Sequence, residues 1–174
     1  MIITTERLRL RAAETKDVER FVRYLNDWDV QQGLSLPPFP YSRQDGEAYL
    51  AIVCARHATV HPTAFVIADK VTDAALGAAS VEIDQDGTGE LGYWIGRDHW
   101  GRGLAQEAIS VLVRHALAHP DLQRLVAVTD PANVRSQRVL AACGLTDCGL
   151  RERARSSRRG STRERRYELV RERR

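Results

Sequence analysis

The stretch that most constrains the fold of this chain is ELGYWIGRDHWGRGLAQEA, residues 90–108. Its first part predicts a strand over Glu90–Ile95, and its last part predicts a helix that begins at Leu104. Gly101 and Gly103 lie between them, where they permit a positive φ and let a ligand approach the backbone closely. No Ser, Thr, Asp or Asn stands directly before Leu104, so the first N–H groups of the helix need another acceptor. A phosphate suits both those donors and the positive end of the helix dipole.

Two common phosphate-binding motifs do not fit this stretch. A P-loop ends in Gly-Lys-Ser/Thr, whereas Gly103 is followed by Leu104 and Ala105. A dinucleotide fingerprint needs a third small residue in register and an acidic residue on a following strand. Taken alone, the glycines favour an ordinary strand–turn–helix corner.

Further segments accompany the glycine loop in a fixed order along the chain. They are TERLRLR (5–11), DVERF (17–21), NVRS (133–136), RVL (138–140) and CGL (143–145). Together with Gly101-x-Gly103-x-Ala105, they resemble the GNAT superfamily of acyl-CoA-dependent N-acyltransferases, and more narrowly its RimJ/RimL-like branch. The resemblance covers nearly the whole chain. It implies an enzyme that transfers an acetyl group from acetyl-CoA directly to a primary amine, without a covalent enzyme intermediate.

Hydrophobic periodicity predicts the remaining elements. The predicted strands are Leu8–Ala12, Ala64–Ala68, Leu76–Ile83, Glu90–Ile95, Leu125–Val128, Thr146–Ala154 and Thr162–Val170. The predicted helices span Thr15–Leu25, Ser42–His57, Leu104–His119 and Val134–Cys143, with Thr15 and Ser42 as caps. This order predicts an α/β (mixed α+β) fold, a single domain over residues 1–174, in which one mixed sheet of about seven strands is flanked by four helices.

The resemblance implies that the fourth and fifth predicted strands, Glu90–Ile95 and Leu125–Val128, splay apart. The inner edge of Leu91–Ile95 would then lack a strand partner, and buried N–H and C=O groups need one. A pantetheine arm carries two amides and pairs with such an edge much as a strand does. The cofactor contacts implied by the resemblance are Tyr93, Trp94, Ile95, Gly101, Arg102, Gly103, Leu104, Ala105 and Asn133.

The catalytic candidates are Glu90 and Ser136. Most of an alkyl amine is protonated at neutral pH, so Glu90 is the first choice for a base that acts through water, with Glu82 second. A solvated glutamate at the end of a hairpin is the alternative for Glu90. Ser136 occupies the position whose hydroxyl, by the resemblance, reaches the CoA sulfur, whereas many GNAT enzymes use a tyrosine there.

Main-chain groups are the other candidates for the chemistry. The backbone N–H groups around Tyr93 and Trp94 are candidates to stabilise the oxyanion, with ordinary strand pairing as the alternative. Helix capping is an alternative reading for Ser136, and it is one of two compatible readings for Asn133.

The composition limits the other classes of function. Apolar residues make up 43% and charged residues 28% of the 174 residues, and no run approaches the ~20 apolar residues of a membrane span. Three cysteines without C-x-x-C spacing and an N-terminus without a signal-like pattern predict a cytoplasmic protein. The five histidines lack metal-ligand company, so no metal is expected.

The charge is uneven along the chain. The net charge is +3, but residues 151–174 hold eleven Arg and four Glu, a balance of +7 that leaves −4 for residues 1–150. Interleaved glutamates in this segment, and an aromatic content of 6% for the whole chain, argue against nucleic-acid binding. Arg163, Arg165 and Arg166 could instead attract an acidic peptide or an anionic small molecule.

The acceptor amine, a protein N-terminus or a small molecule, is expected to bind between the first two helices, the 28–41 loop and the final hairpin. Apolar candidates for its pocket are Trp28, Leu34, Leu36, Phe39 and Tyr41. Arg97 and Arg102 are candidates to meet phosphates. A homodimer is a candidate assembly. The alternative to an enzyme is a non-catalytic acyl-CoA-binding or regulatory module that retains the loop.

Overall fold

The computed structural model describes residues 1–34, 37–153 and 160–171 and is built on one eight-stranded sheet. The strands are β1 (Ile3–Thr4), β2 (Leu8–Arg11), β3 (Ala64–Asp69), β4 (Ala75–Ile83), β5 (Thr88–Ile95), β6 (Arg124–Thr129), β7 (Thr146–Glu152) and β8 (Arg163–Val170). The helices are α1 (Val18–Leu25), α2 (Trp28–Gln31), α3 (Arg43–His57), α4 (Leu104–Leu117) and α5 (Val134–Ala142).

The predicted fold class, one mixed sheet flanked by helices, is confirmed. The described elements exceed the predicted ones by the two-residue strand β1 and the single-turn helix α2, both too short to give a periodic pattern. Leu36, Ala154 and the turn residues 158–159 of the predicted final hairpin lie outside the described residues.

The two predicted helix caps differ in outcome. Ser42 caps α3 as predicted, with its Oγ accepting the Asp45 N–H at 3.1 Å. Thr15 does not cap α1, because Thr15–Asp17 form a 3₁₀ turn that precedes the helix. Asp17 holds that turn by accepting the Glu14 N–H at 2.8 Å.

The sheet runs in the order β1-β2-β3-β4-β5-β6-β8-β7 and is antiparallel except between β5 and β6. That parallel ladder contains only three pairs, Thr88 with Arg124, Gly89 with Leu125 and Glu90 with Val126. Beyond them β5 continues along β4 and β6 continues along β8. Within the described ranges, no strand pairs with the edge of Leu91–Ile95 that faces β6, as the predicted splay requires.

The two faces of β5 belong to different layers, since successive side chains of a strand point to opposite sides. Leu91, Tyr93 and Ile95 face a core formed with α4 and with Leu140 of α5. Trp94 faces the opposite core, formed with α1 and α3, where its ring meets that of Phe21 edge-on at 5.6 Å. The strand therefore separates an α4/α5 face from an α1/α3 face.

Neighbouring secondary structure is tied together on the α1 side by a buried arginine. Arg11 is 5% exposed and donates to the carboxylate of Asp17, which is 1% exposed, at 2.8 and 3.0 Å. It also donates to Asp73 Oδ1 at 3.0 Å in the β3–β4 turn.

Among the described residues, no helix is long and apolar enough to cross a membrane.

Candidate active site

Residues 97–103, predicted to bind phosphate and called the phosphate loop below, lie where β5 leads into α4. Gly101 and Gly103 have φ values of +73° and +74°, the left-handed region that favours glycine. Gly103 occupies the N-cap position without a side-chain cap, and the Glu107 N–H is the first to reach an intrahelical acceptor, Gly103 O at 3.0 Å. The N–H groups of Leu104 and Ala105 precede it and find no acceptor among the described residues. Gly101, Arg102 and Gly103 are exposed, so an anion can approach the backbone at the start of the helix.

Trp100 fixes this loop to its surroundings. Its indole Nε1 donates to Ile95 O at 2.7 Å, which ties the loop to the last residue of β5. The guanidinium of Arg135, in the first turn of α5, lies 4.6 Å from the centre of the Trp100 ring. The loop and the start of α5 thus meet across the slot between β5 and β6. Ile95 O, predicted as a cofactor contact, already accepts one hydrogen bond.

A pair of hydroxyl groups spans the α4/α5 face of the slot. Tyr93 OH lies 3.0 Å from Ser136 Oγ. Burial raises the pKa of Tyr93 to about 12, although its hydrogen bond with Ser136 acts in the opposite direction. Tyr93 therefore keeps its proton at neutral pH. The hydroxyl of Ser136 is directed to Tyr93, and it is Asn133 that caps the helix.

Asn133 is the N-cap of α5. Its Oδ1 accepts the Ser136 N–H at 3.1 Å, the capping geometry that the sequence predicted. A Cβ added to Gly33 would lie 3.4 Å from Asn133 Nδ2, so the loop after α2 reaches the start of α5. The contact of Asn133 with a cofactor stays a prediction.

Glu90 and Glu82 lie side by side on the α1/α3 face, where β4 and β5 pair them directly. This is the register that the prediction for Glu82 required. Glu82 forms an ion pair with Arg56 at 2.7 Å. Glu90 is exposed, and no described residue bonds to its carboxylate. The two carboxylates therefore differ in availability.

The candidate base and the hydroxyl pair lie on opposite faces of β5. Glu90, Gly92 and Trp94 share one face, while Tyr93 points to the other face and meets Ser136 there. A Cβ added to Gly92 would meet no atom within 4 Å, so space is open beside Glu90. A molecule that enters from the α1/α3 side and one that lies on the α4/α5 side would meet at the slot.

Several arginines suggested as anion contacts are engaged elsewhere. Arg97 pairs with Asp27 at 2.7 Å and Asp29 at 3.4 Å, which fastens the phosphate loop to the start of α2. In the final hairpin, Arg163 pairs with Glu152, Arg165 with Asp147 and Arg166 with Glu168. These acids offset the charge that suggested an acidic ligand. Arg102 is exposed and forms no ion pair with a described residue.

A cavity of about 890 Å³ lies at the opposite end of β5 from the phosphate loop, between residues 59–63 and 84–87. It is open to solvent and contains His61 and His119, whose ring centres are 5.1 Å apart. In the described part of the chain, no three His, Cys, Asp or Glu side chains are grouped so as to hold a metal ion. The orphan helix N–H groups and the hydroxyl pair make the slot, rather than this cavity, the candidate active site.

Comparison with known proteins agrees with this geometry. Residues 7–146 match the acetyltransferase (GNAT) domain family. The chain belongs to the GNAT acetyltransferase family. It is 31% identical over 148 residues to uncharacterized N-acetyltransferase p20 of Bacillus licheniformis, which covers 84% of this chain and 83% of that protein. It is 26% identical over 142 residues to the ribosomal-protein-serine acetyltransferase of Escherichia coli, covering 79% and 78% of the two chains.

A solved structure of the same fold carries coenzyme A. The fold matches RimL, a ribosomal-protein alpha-N-acetyltransferase in complex with CoA, with a TM-score of 0.80 at 20% identity over 98% of each chain. In that RimL structure the CoA is joined to a cysteine by a disulfide. The GNAT resemblance of the sequence motifs is confirmed by the family match, and its RimJ/RimL-like character agrees with the similarity to the ribosomal-protein-serine acetyltransferase of Escherichia coli.

Sequence analysis did not predict the contacts that three residues of the site make. The hydroxyl of Tyr93, the stacking of Arg135 on Trp100 and the contact of Arg7 with the phosphate loop all join segments far apart in sequence. For the Tyr93 hydroxyl, the one signal in the sequence was the alternation of side chains along β5, which places Tyr93 and Glu90 on different faces of the strand.

Proposed function

We propose that this GNAT domain transfers an acetyl group from acetyl-CoA to a primary amine, by direct attack of the amine on the thioester in a ternary complex. The observation that carries the proposal is the open edge of Leu91–Ile95, which leads straight into the uncapped start of α4. One extended ligand with amides in its arm and a diphosphate at its end would satisfy both groups of donors. The CoA held by the RimL structure is such a ligand.

The two faces of β5 supply the two halves of the reaction. The amine approaches from the Glu90 side, and Glu90 takes its proton through water so that the neutral nitrogen can attack the carbonyl carbon. The backbone N–H of Tyr93 then hydrogen-bonds the oxyanion, because it points to the open edge of β5 whereas the Trp94 N–H points to β4. When the carbon–sulfur bond breaks, the thiolate takes a proton from Ser136 Oγ, and the second proton shed by the amine nitrogen passes through water to restore the Ser136–Tyr93 pair. The products are the N-acetylated amine and free CoA thiol.

Glu90 is favoured over Glu82 as the base on contacts alone. A carboxylate that is already paired with a guanidinium is less available to accept a proton, and Glu82 is paired with Arg56. The same ion pair offsets the repulsion expected between two carboxylates directly opposite each other. A partly acidic surface also suits a cationic amine before it loses its proton.

The acceptor is the α-amino group of a protein N-terminus or a small primary amine. The ribosomal-protein-serine acetyltransferase of Escherichia coli and RimL, both similar to this chain, act by name on ribosomal proteins. A panel of N-terminal peptides and small amines separates the two substrate classes.

The first test of the proposal is ligand binding. Acetyl-CoA should raise the unfolding temperature, with a stabilisation that grows with the logarithm of its concentration above Kd. Longer acyl-CoAs in the same assay report the preferred chain length. No stabilisation by acetyl-CoA at any concentration would sink the proposal.

The second test compares two neighbouring carboxylates. Glu90→Gln should lower kcat/KM by about a hundredfold, the effect typical of a lost general base. Glu82→Gln, on the same face and one strand away, is the matched control and should change it far less. Thiol release with the best amine of the panel measures both. Equal losses in the two variants would contradict the assignment of Glu90.

The same measurements decide between an enzyme and a non-catalytic module. A module would bind acetyl-CoA, release no thiol with any amine and be indifferent to Glu90→Gln. Turnover with even one amine excludes it.

A further inference from the structure

The segment before β2 is fastened to the start of α4. Glu107, in the first turn of α4, accepts hydrogen bonds at its Oε1 from Thr5 Oγ1 at 2.6 Å and from the Arg7 N–H at 2.9 Å. Its Oε2 accepts from Arg7 Nε at 2.7 Å and lies 2.6 Å from Arg7 Nη2. Burial would raise the pKa of Glu107, but these bonds outweigh it and lower the pKa, so the carboxylate stays charged.

Arg7 also reaches the phosphate loop itself. Its Nη1 donates to Arg102 O at 2.8 Å, between Gly101 and Gly103. The carbonyl of Arg102 and the N–H of Gly103 belong to one planar trans peptide, so they point in opposite directions. A hydrogen bond that holds the carbonyl toward Arg7 therefore turns the Gly103 N–H away from it.

This peptide unit needs an external hold. Glycine at 103 tolerates many backbone conformations, so the unit has little intrinsic preference for the orientation observed. Glu107 fixes the guanidinium with two of its nitrogens, and the remaining nitrogen fixes the peptide. A lysine has one terminal nitrogen and cannot reproduce this fork.

We propose that Arg7 is a positioning residue, which holds the Arg102–Gly103 peptide so that the Gly103 N–H is available to the diphosphate of the acyl donor. The inference rests on the proposed function of the loop as a diphosphate site. Arg7 acts through the loop backbone, and its charge is already matched by Glu107.

The test separates loop geometry from general stability with two variants. Arg7→Gln removes the fork at the start of α4. Arg171→Gln is the matched control, because Arg171 Nη1 donates to the carbonyls of His119 and Leu122 just beyond the opposite end of the same helix. Calorimetry with CoA gives Kd, and steady-state assays compare acetyl-CoA with S-acetylpantetheine, a donor that lacks the diphosphate.

Arg7→Gln should weaken CoA binding by about tenfold, the change expected when a charge-assisted hydrogen bond is lost. It should lower kcat/KM for acetyl-CoA by a similar factor and leave kcat/KM for S-acetylpantetheine unchanged. Arg171→Gln should leave both donors unaffected, even if its unfolding temperature falls as far. An equal loss with both donors, or no loss of CoA affinity, overturns the inference.

Two further variants close the remaining alternatives. Arg7→Lys keeps the charge without the fork and should bind CoA as weakly as Arg7→Gln, so full affinity in Arg7→Lys would contradict positioning. Glu107→Gln loosens the hold on Arg7 and should produce the same donor-specific loss. It replaces Arg7→Gln in the test if that variant does not fold. If the wild-type protein binds no CoA, the proposed function fails and takes this inference with it. If the wild type binds CoA and the variants bind it with the same affinity, the inference about Arg7 fails and the proposed function stands.

Discussion

Tyr93 joins β5 to α5 through a single hydrogen bond, and the direction of that bond decides how Ser136 can act. Either hydroxyl can donate in this pair, and only when Tyr93 donates to the serine oxygen is the serine proton free for a leaving thiolate. The sequence predicted a role for the main chain of Tyr93 and for the hydroxyl of Ser136. It could not pair them, because the contact depends on how α5 packs over the slot.

Tyr93→Phe tests this pair. The variant should lower kcat by about tenfold, consistent with one lost hydrogen bond to the reacting hydroxyl, and should leave CoA affinity unchanged. Ser136→Ala should lose at least as much activity, and the double variant should lose little more than Ser136→Ala alone because the two residues act together. Additive losses would show that the two hydroxyls act separately.

The pH dependence of Tyr93 gives a spectroscopic check. Its pKa is raised to about 12, mainly by burial, from an ordinary value of 10.0. Because the folded pKa exceeds the unfolded one, the stability linked to this group is complete below pH 10 and is lost as the pH rises toward 12. The tyrosinate absorbance of the wild type minus that of Tyr93→Phe should therefore appear near pH 12. A difference that titrates near pH 10 would contradict the burial of the phenol.

At the scale of elements, the two rows of side chains of β5 face different layers, and we propose that they serve different ligands. Gly92 lies between Glu90 and Trp94 on the acceptor side, with open space above it. Valine suits an extended strand, so Gly92→Val should fold normally. It should reduce kcat/KM for the amine by about tenfold or more, since it narrows the space beside Glu90, and should leave the Kd of CoA unchanged. A selective loss of CoA binding would reverse the assignment of the two faces.

The sequence predicted the elements of the site better than their contacts. Strand periodicity, the two glycines and the missing cap identify β5, the phosphate loop and the start of α4, because each is a local property of the chain. The short elements β1 and α2 and the 3₁₀ turn at Thr15 escaped, since a few residues carry no period. The ion pair of Arg97 with Asp27 and the fork of Arg7 escaped because they depend on the packing of distant segments.

At the scale of the molecule, the buried cluster around Arg11 connects β2, the turn before α1 and the β3–β4 turn. Burial would lower the pKa of Arg11, but hydrogen bonds and charge from Asp17 and Asp73 raise it instead. A buried charge that loses one partner is strongly unfavourable, because water cannot replace it.

Asp17→Ala should lower the free energy of unfolding by about 3–5 kcal/mol, as for other buried pairs that lose one member. Asp98→Ala is the control, since its pair with Arg23 is exposed and such pairs contribute about 0–1 kcal/mol. Urea denaturation with an unchanged m-value measures both. Equal effects would mean that the Arg11 cluster is not structurally important.

One mixed sheet was predictable from the succession of elements, whereas the position of β8 between β6 and β7 and the acidic partners of the tail arginines were not. Their neutralisation depends on the pairing of β7 with β8, which brings Arg165 beside Asp147 and Arg163 beside Glu152. Glu152 is already counted in the +7 of residues 151–174, so of these two acids only Asp147 lowers that balance.

The three-pair ladder between β5 and β6 has a consequence for the cycle of the enzyme. With so few rungs, the two flanks of the sheet meet at one end and stay separate at the other. A guest molecule lying along the bare margin of β5 would act as a temporary strand that completes the main-chain bonding there. Binding of acetyl-CoA would then extend the sheet locally, and release of CoA would undo that extension.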